Sequence, residues 1–183
     1  GRYALNFALE QLGITEKDTS VLRQHLFEIF AAVKDTYIYH ELGEIQDTTL
    51  DRQSWREMVA AFPFSPVEFI ARAVKDLLAD TNKYGTLHHI IQKRQTAGLA
   101  FYVAFIDGLV KEFFPQISIA FQLFVKSGDW HLIEQAVADG NQIARKHTML
   151  LLDIYRDGVK KDNLEWSEKE IQKRLLGKYM KNA

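Results

Sequence analysis

The sequence contains no cysteine, only three prolines and ten glycines in 183 residues, and almost no surplus of charge. Without cysteine there is no disulfide framework, no thiolate zinc or iron–sulfur centre and no cysteine nucleophile. Twenty-three basic against 24 acidic side chains leave a formal net charge of −1. Such a balance gives no global field for a polyanion, so neither nucleic acid nor an anionic membrane is an expected partner. No apolar run approaches the roughly 18 residues that a membrane-spanning helix needs. The chain opens on Gly1 rather than Met, without a signal-peptide pattern. The expectation is a cytoplasmic domain cut from a longer protein, with a neighbouring module outside it. Hydrophobic residues at 47% and charged residues at 26% suit one folded domain with a core of its own.

What is present is helical periodicity. Apolar residues recur every three or four positions almost throughout, which predicts an all-α fold. Leu5, Ala8, Leu9 and Leu12 form a first stripe ended by Gly13. Thr15 to Asp18 reads as a helix start capped by Thr15, followed by one long helix that fades near Gly43. A shorter helix spans Asp47 to Ala61. Ser65-Pro66 has the form of an N-cap followed by proline at the first helical position. After a turn at Asn82 to Gly85 comes a short helix from Thr86 to Lys93, then an unbroken apolar helix from Ala97 to Phe114. A helix apolar all round is buried on more than one side, in a core or a dimer seam. Pro115 interrupts the pattern, and Ile117 to Val125 resumes it. Ser127-Gly-Asp129 opens another long helix to about Tyr155, Gly158 to Asn163 forms a polar linker, and Trp166 to Met180 is a charged amphipathic helix. The expected division is one helical domain over residues 1–163 and a C-terminal amphipathic helix over residues 164–183.

Catalytic motifs are not evident. No two of the six histidines, His25, His40, His88, His89, His131 and His147, form an i, i+4 pair, and neither HExxH nor a facing Glu-x-x-His pair occurs. No metal site is therefore expected from their spacing. No glycine-rich phosphate loop and no nucleophile elbow occurs, and no pair of carboxylates stands out. The expectation is a protein that is not an enzyme. The unusual stretch is Tyr84 to Phe114, where His88 and His89 precede Phe101, Tyr102 and Phe105. Such residues line either a plain helical core, a dimer seam or a cavity for a flat or chain-like ligand.

The order of several segments resembles the globin-coupled sensor domains of bacteria and their non-haem relatives in stressosome sensors. Leu12-Gly-Ile-Thr-Glu-Lys-Asp18 with Val21-Leu22 is similar to the opening of that family's first globin helix. Ile38-Tyr39 with Leu42 and Ile45 resembles its distal-side tyrosine segment, with Gln46 where the family has proline. Arg94-Gln-Thr-Ala-Gly98-Leu99 resembles the segment that carries the proximal haem ligand, and 55 positions separate Tyr39 from Arg94, about the family's spacing. The helices after Arg94 and through Ile143, His147 and Tyr155 look like the last two globin helices.

The resemblance implies a globin-like sensor domain that dimerises through those last two long helices and signals to an output domain or partner. It also exposes a departure. Arg94 stands where the family has its iron-binding histidine, and a guanidinium has no lone pair for iron. The favoured expectation is a haem-free sensor holding a small apolar ligand among Tyr39, Arg94, Phe101, Tyr102 and Phe105. The alternatives are a haem gas sensor using His88 or His89 and the effector-binding domain of a helical transcription regulator.

Overall fold

The structure, a computed structural model, describes residues 1–48 and 50–177. Among the described residues it is all α, with eleven helices and no strand: α1 (Arg2–Gln11), α2 (Thr19–Gln24), α3 (Leu26–Gln46), α4 (Arg52–Ala61), α5 (Pro66–Thr81), α6 (Thr86–Lys93), α7 (Thr96–Phe105), α8 (Gly108–Phe113), α9 (Pro115–Ser127), α10 (Trp130–Lys160) and α11 (Leu164–Leu175). None of these helices is long and apolar enough to cross a membrane.

Helix α5 is the axis of the fold. Ser65 caps it, Pro66 occupies its first turn, and Glu68 folds back to accept the Phe64 amide at 2.8 Å, a variant of the capping box. Val67, Ile70, Val74, Leu77 and Leu78 are buried along it, and α3, α4, α6, α8, α10 and α11 all pack against it. A helix so enclosed must pair its polar groups internally. That requirement shapes its C-terminal end, where Asp80, Thr81 and Asn82 are all buried.

Several boundaries differ from the sequence reading. The cap before α2 is Asp18, whose Oδ1 accepts the amides of Ser20 and Val21; Thr15 does not cap it. The long helix after it breaks at His25 into α2 and α3, with no glycine or proline at the break. Helix α3 runs through Gly43 instead of fading there. The expected Asp47–Ala61 helix starts only at Arg52, capped by Asp51. The apolar stretch Ala97–Phe114 is two helices, because Gly108 takes a positive φ of 50° and turns the chain after Asp107. Much of its apolar surface packs within the chain, where α7 lies between α1, α3, α6 and α9, while Phe105 stays 58% exposed.

Helix α10 continues past Tyr155 to Lys160, so the expected linker shrinks to residues 161–163. The part of the last expected helix beyond residue 177, including Met180, lies outside the described residues. Helix α11 packs against α10 and α5, with Ser167 and Ile171 fully buried and Ser167 Oγ donating to the Ile154 carbonyl at 3.0 Å. Ile171→Ala should therefore lower global stability by about 2 kcal/mol, at the low end for a buried aliphatic truncation because a terminal helix can settle into the gap. Urea denaturation followed by circular dichroism checks this; an unchanged midpoint would show that α11 contributes nothing to the body of the fold.

Candidate functional site

Glycine sets the spacing that builds the site. A Cβ on Gly43 would lie 2.2 Å from the Ala79 carbonyl oxygen, and one on Gly85 would lie 1.9 Å from the same atom. Helix α3 and the turn after α5 thus both approach the α5 backbone as closely as only glycine allows. Asn82 fastens the junction: its Nδ2 donates to the carbonyls of Gly43 at 2.9 Å and Leu78 at 3.1 Å, while its Oδ1 accepts the Tyr84 amide. One turn on α3 to either side of Gly43 stands near one turn on α5. His40 and Glu44 consequently meet Asp76 and Asp80.

The resulting polar cluster is connected. His40 Nδ1 is 2.9 Å from Asp80 Oδ1, and the Tyr102 hydroxyl donates to Asp80 Oδ2 at 3.0 Å. His40 Nε2 lies 3.4 Å from Glu44 Oε1 and 4.0 Å from Asp76 Oδ1. Lys75 Nζ pairs with Glu44 Oε1 at 2.7 Å. The hydrogen bond to Asp80 raises the His40 pKa to about 9 against the opposing effect of burial, with the Asp80, Asp76 and Glu44 charges adding to the rise. Burial raises the Asp76 carboxyl. Burial also pushes the Tyr102 phenol up, and the Asp80 charge and hydrogen bond push it further.

This cluster forms the polar end of a cleft of about 300 Å³ between α3, α5 and the α7–α8 segment. Its apolar side is made by Val33, Phe101, Phe105, Ile106 and Val110. A volume at the lower end of the ligand-pocket range, with an apolar wall and a few convergent polar groups, is the usual form of a small-molecule site. A second cleft of about 220 Å³ lies on the far side of Glu44, beside Trp55 and Lys75. A wider polar depression holds His88, Asn141 and Arg145.

The structure brings together three of the five candidates from the sequence. Phe101, Tyr102 and Phe105 line the cleft. Tyr39 does not; its ring stacks on His89 with centroids 3.6 Å apart. Arg94 is also elsewhere. It caps α6 in the left-handed conformation, with φ of 50°, which carries its guanidinium over the Trp130 ring and to Glu134 Oε1 at 3.2 Å. Arg94 is therefore a surface arginine outside the lining of the cleft. Sequence spacing gave no hint of His40, Asp76 and Asp80, because their meeting depends on the long-range contact at Gly43.

Haem does not fit the histidines that would have to carry it. His89 is buried, covered on one face by Tyr39, and its Nε2 lies 3.3 Å from Asp35 Oδ2. His88 faces the polar depression beside Asn141 and Arg145, where burial lowers its pKa. Neither residue borders the apolar cleft.

The family described as the DUF6866 C-terminal domain, a family of unknown function, matches residues 1–174. The chain belongs to that family. No curated protein and no solved structure matches it.

Proposed function

We propose that this domain is a haem-free, globin-like regulatory module that binds a small ligand in the α3–α5–α7 cleft and passes the binding event to an output partner. The observation that carries the proposal is the cleft itself: an aromatic and aliphatic wall ending on the His40–Asp80–Tyr102 network. A catalytic role is not part of the reading. The homodimer through the last two long helices remains part of it, although α7 and α10 already give much of their apolar surface to neighbours in the same chain; sedimentation velocity tests that component separately.

The polar end also narrows the ligand. Asp76, Asp80 and Asp107 line the cleft against His40 as its one basic side chain, so a carboxylate head is disfavoured there, and an amine or hydroxyl head is favoured. A fatty acid is thus a poorer candidate than an apolar molecule with a cationic or neutral polar head. Thermal melting with n-octylamine, octan-1-ol and octanoate tests this. The amine and the alcohol should raise the melting temperature, and octanoate should not. Phe105→Ala should abolish the rise while lowering the free protein's melting temperature only slightly, because Phe105 is 58% exposed and its main loss is the stack on Phe101. No shift with any of the three probes, or equal shifts in Phe105→Ala, would overturn the reading.

A further inference from the structure

We propose that His40, Glu44 and Asp76 form a binding site for one divalent first-row transition-metal ion at the polar end of the cleft. The three side chains come from two helices, and one ligand atom from each lies within 4.8 Å of the other two. Ligand atoms held at about 2.0–2.2 Å from one ion at tetrahedral angles are about 3.4 Å apart. The His40 Nε2 to Glu44 Oε1 distance is 3.4 Å, and that to Asp76 Oδ1 is 4.0 Å, so a small rotation of Asp76 completes the set.

A second observation separates this group from a chance gathering of acids. The imidazole is already oriented: Asp80 engages Nδ1 at 2.9 Å, which leaves Nε2 directed at the other two ligands. A carboxylate holding the remote nitrogen of a histidine is the usual outer support of a metal-binding imidazole. Asp80 is itself held in place by the Tyr102 hydroxyl at 3.0 Å. Asp80 and Tyr102 are positioning residues here and do not touch the ion.

The charges agree with the geometry. Three carboxylates face His40, with Lys75 the nearby cation on Glu44. A divalent ion takes the position between Nε2 and the two carboxylates, displacing the Nε2 proton of His40 to solvent, and Glu44 exchanges its contact with Lys75 for the metal. One imidazole nitrogen with two carboxylate oxygens suits zinc, manganese or iron better than calcium or magnesium, which favour oxygen alone. His40 and Asp76 both line the cleft, so the unfilled coordination positions face the space a ligand would occupy. The site shares the acidic end of the cleft but does not depend on what the apolar part holds.

The test uses the full chain without a histidine tag, stripped with EDTA and titrated calorimetrically with Zn²⁺ and Mn²⁺. Mg²⁺ and Ca²⁺ are controls. The expected result is one Zn²⁺ or Mn²⁺ per chain, with affinity falling at least about tenfold in Asp76→Asn and in Glu44→Gln, and lost in His40→Gln. Asp80→Asn should weaken binding about tenfold to a hundredfold through the imidazole. Co²⁺ gives a readout that does not rest on stability: the visible spectrum of bound Co²⁺ should appear with the native protein and vanish in His40→Gln. Circular dichroism of the stripped variants shows that they are folded. Absence of stoichiometric binding by the native chain, or binding unchanged in both Asp76→Asn and His40→Gln, would overturn the proposal. Octylamine binding in the presence of EDTA is scored separately, so the cleft reading and the metal site can fail independently.

Discussion

Gly43→Val should cost more than 3 kcal/mol of folding stability, beyond the roughly 1–3 kcal/mol of ordinary overpacking. The obstacle is backbone, which cannot rotate aside. The first added carbon would sit 2.2 Å from the Ala79 oxygen and 3.1 Å from the Gly85 Cα. Helix α3 must lift away from α5, and the Asn82 bond to the Gly43 carbonyl must lengthen or break. Against a typical domain stability of roughly 5–15 kcal/mol, that loss brings the chain near its unfolding threshold at ordinary temperature. Gly43→Ala should move in the same direction by less. Chemical denaturation of the three proteins provides the comparison, and a valine variant with the native midpoint would mean that α3 and α5 do not meet as described.

The second large effect belongs to Asp80→Ala, expected to destabilise by about 2–4 kcal/mol, below the full range for a buried charged pair because His40 is partly exposed. Asp80 is 9% exposed and serves two partners at once, His40 through Oδ1 and Tyr102 through Oδ2. Its loss leaves His40 Nδ1 and the Tyr102 hydroxyl without their acceptor at the part-buried end of the cleft, and an unsatisfied buried donor costs more than its hydrogen bond is worth. Asp80→Asn keeps an acceptor oxygen and should cost less than alanine. Tyr102→Phe removes only one partner and should cost about 1 kcal/mol. The double variant Tyr102→Phe/Asp80→Ala should be less destabilised than the two single losses together, because the orphaned hydroxyl is gone. Denaturant midpoints in EDTA measure all four; full additivity would show that the hydroxyl and the carboxylate do not interact.

The helical class of this chain was legible in the spacing of its apolar residues, and so were the local signals around α5, α6 and α10. Ser65-Pro66, Asn82 to Gly85 and Ser127-Gly-Asp129 mark their boundaries through capping and turn chemistry that needs no knowledge of the rest of the fold. The Ala97–Phe114 stretch shows the opposite case. Continuous hydrophobicity pointed to one helix, while the Asp107-Gly108 pair, an ordinary turn signal, carried the information that divides it. For Phe101, Tyr102 and Phe105 the sequence left core, dimer seam and cavity open, and the fold sets all three along the cleft. His40, Asp76 and Asp80 were not. His40 and Glu44 are an i, i+4 pair of mixed type, and their completion by Asp76 rests on a contact between separate helices. The resemblance to a sensor family assigned Tyr39 and Arg94 to a pocket, yet each has a nearer partner in its own surroundings, His89 for the first and Glu134 for the second.

The junction at Gly43, Ala79 and Gly85 has a mechanical consequence. Two backbone segments pressed onto one carbonyl leave no slack, so the α3–α5 wall of the cleft behaves as a fixed jaw. The opposite wall carries Phe105, Ile106 and Val110 around the Asp107-Gly108 bend, where the helix is interrupted and Phe105 and Asp107 face solvent. An occupant wider than the resting cleft would meet close backbone packing on the α3–α5 side and an exposed bend on the other. The direction in which this domain can yield is written into where its glycines lie.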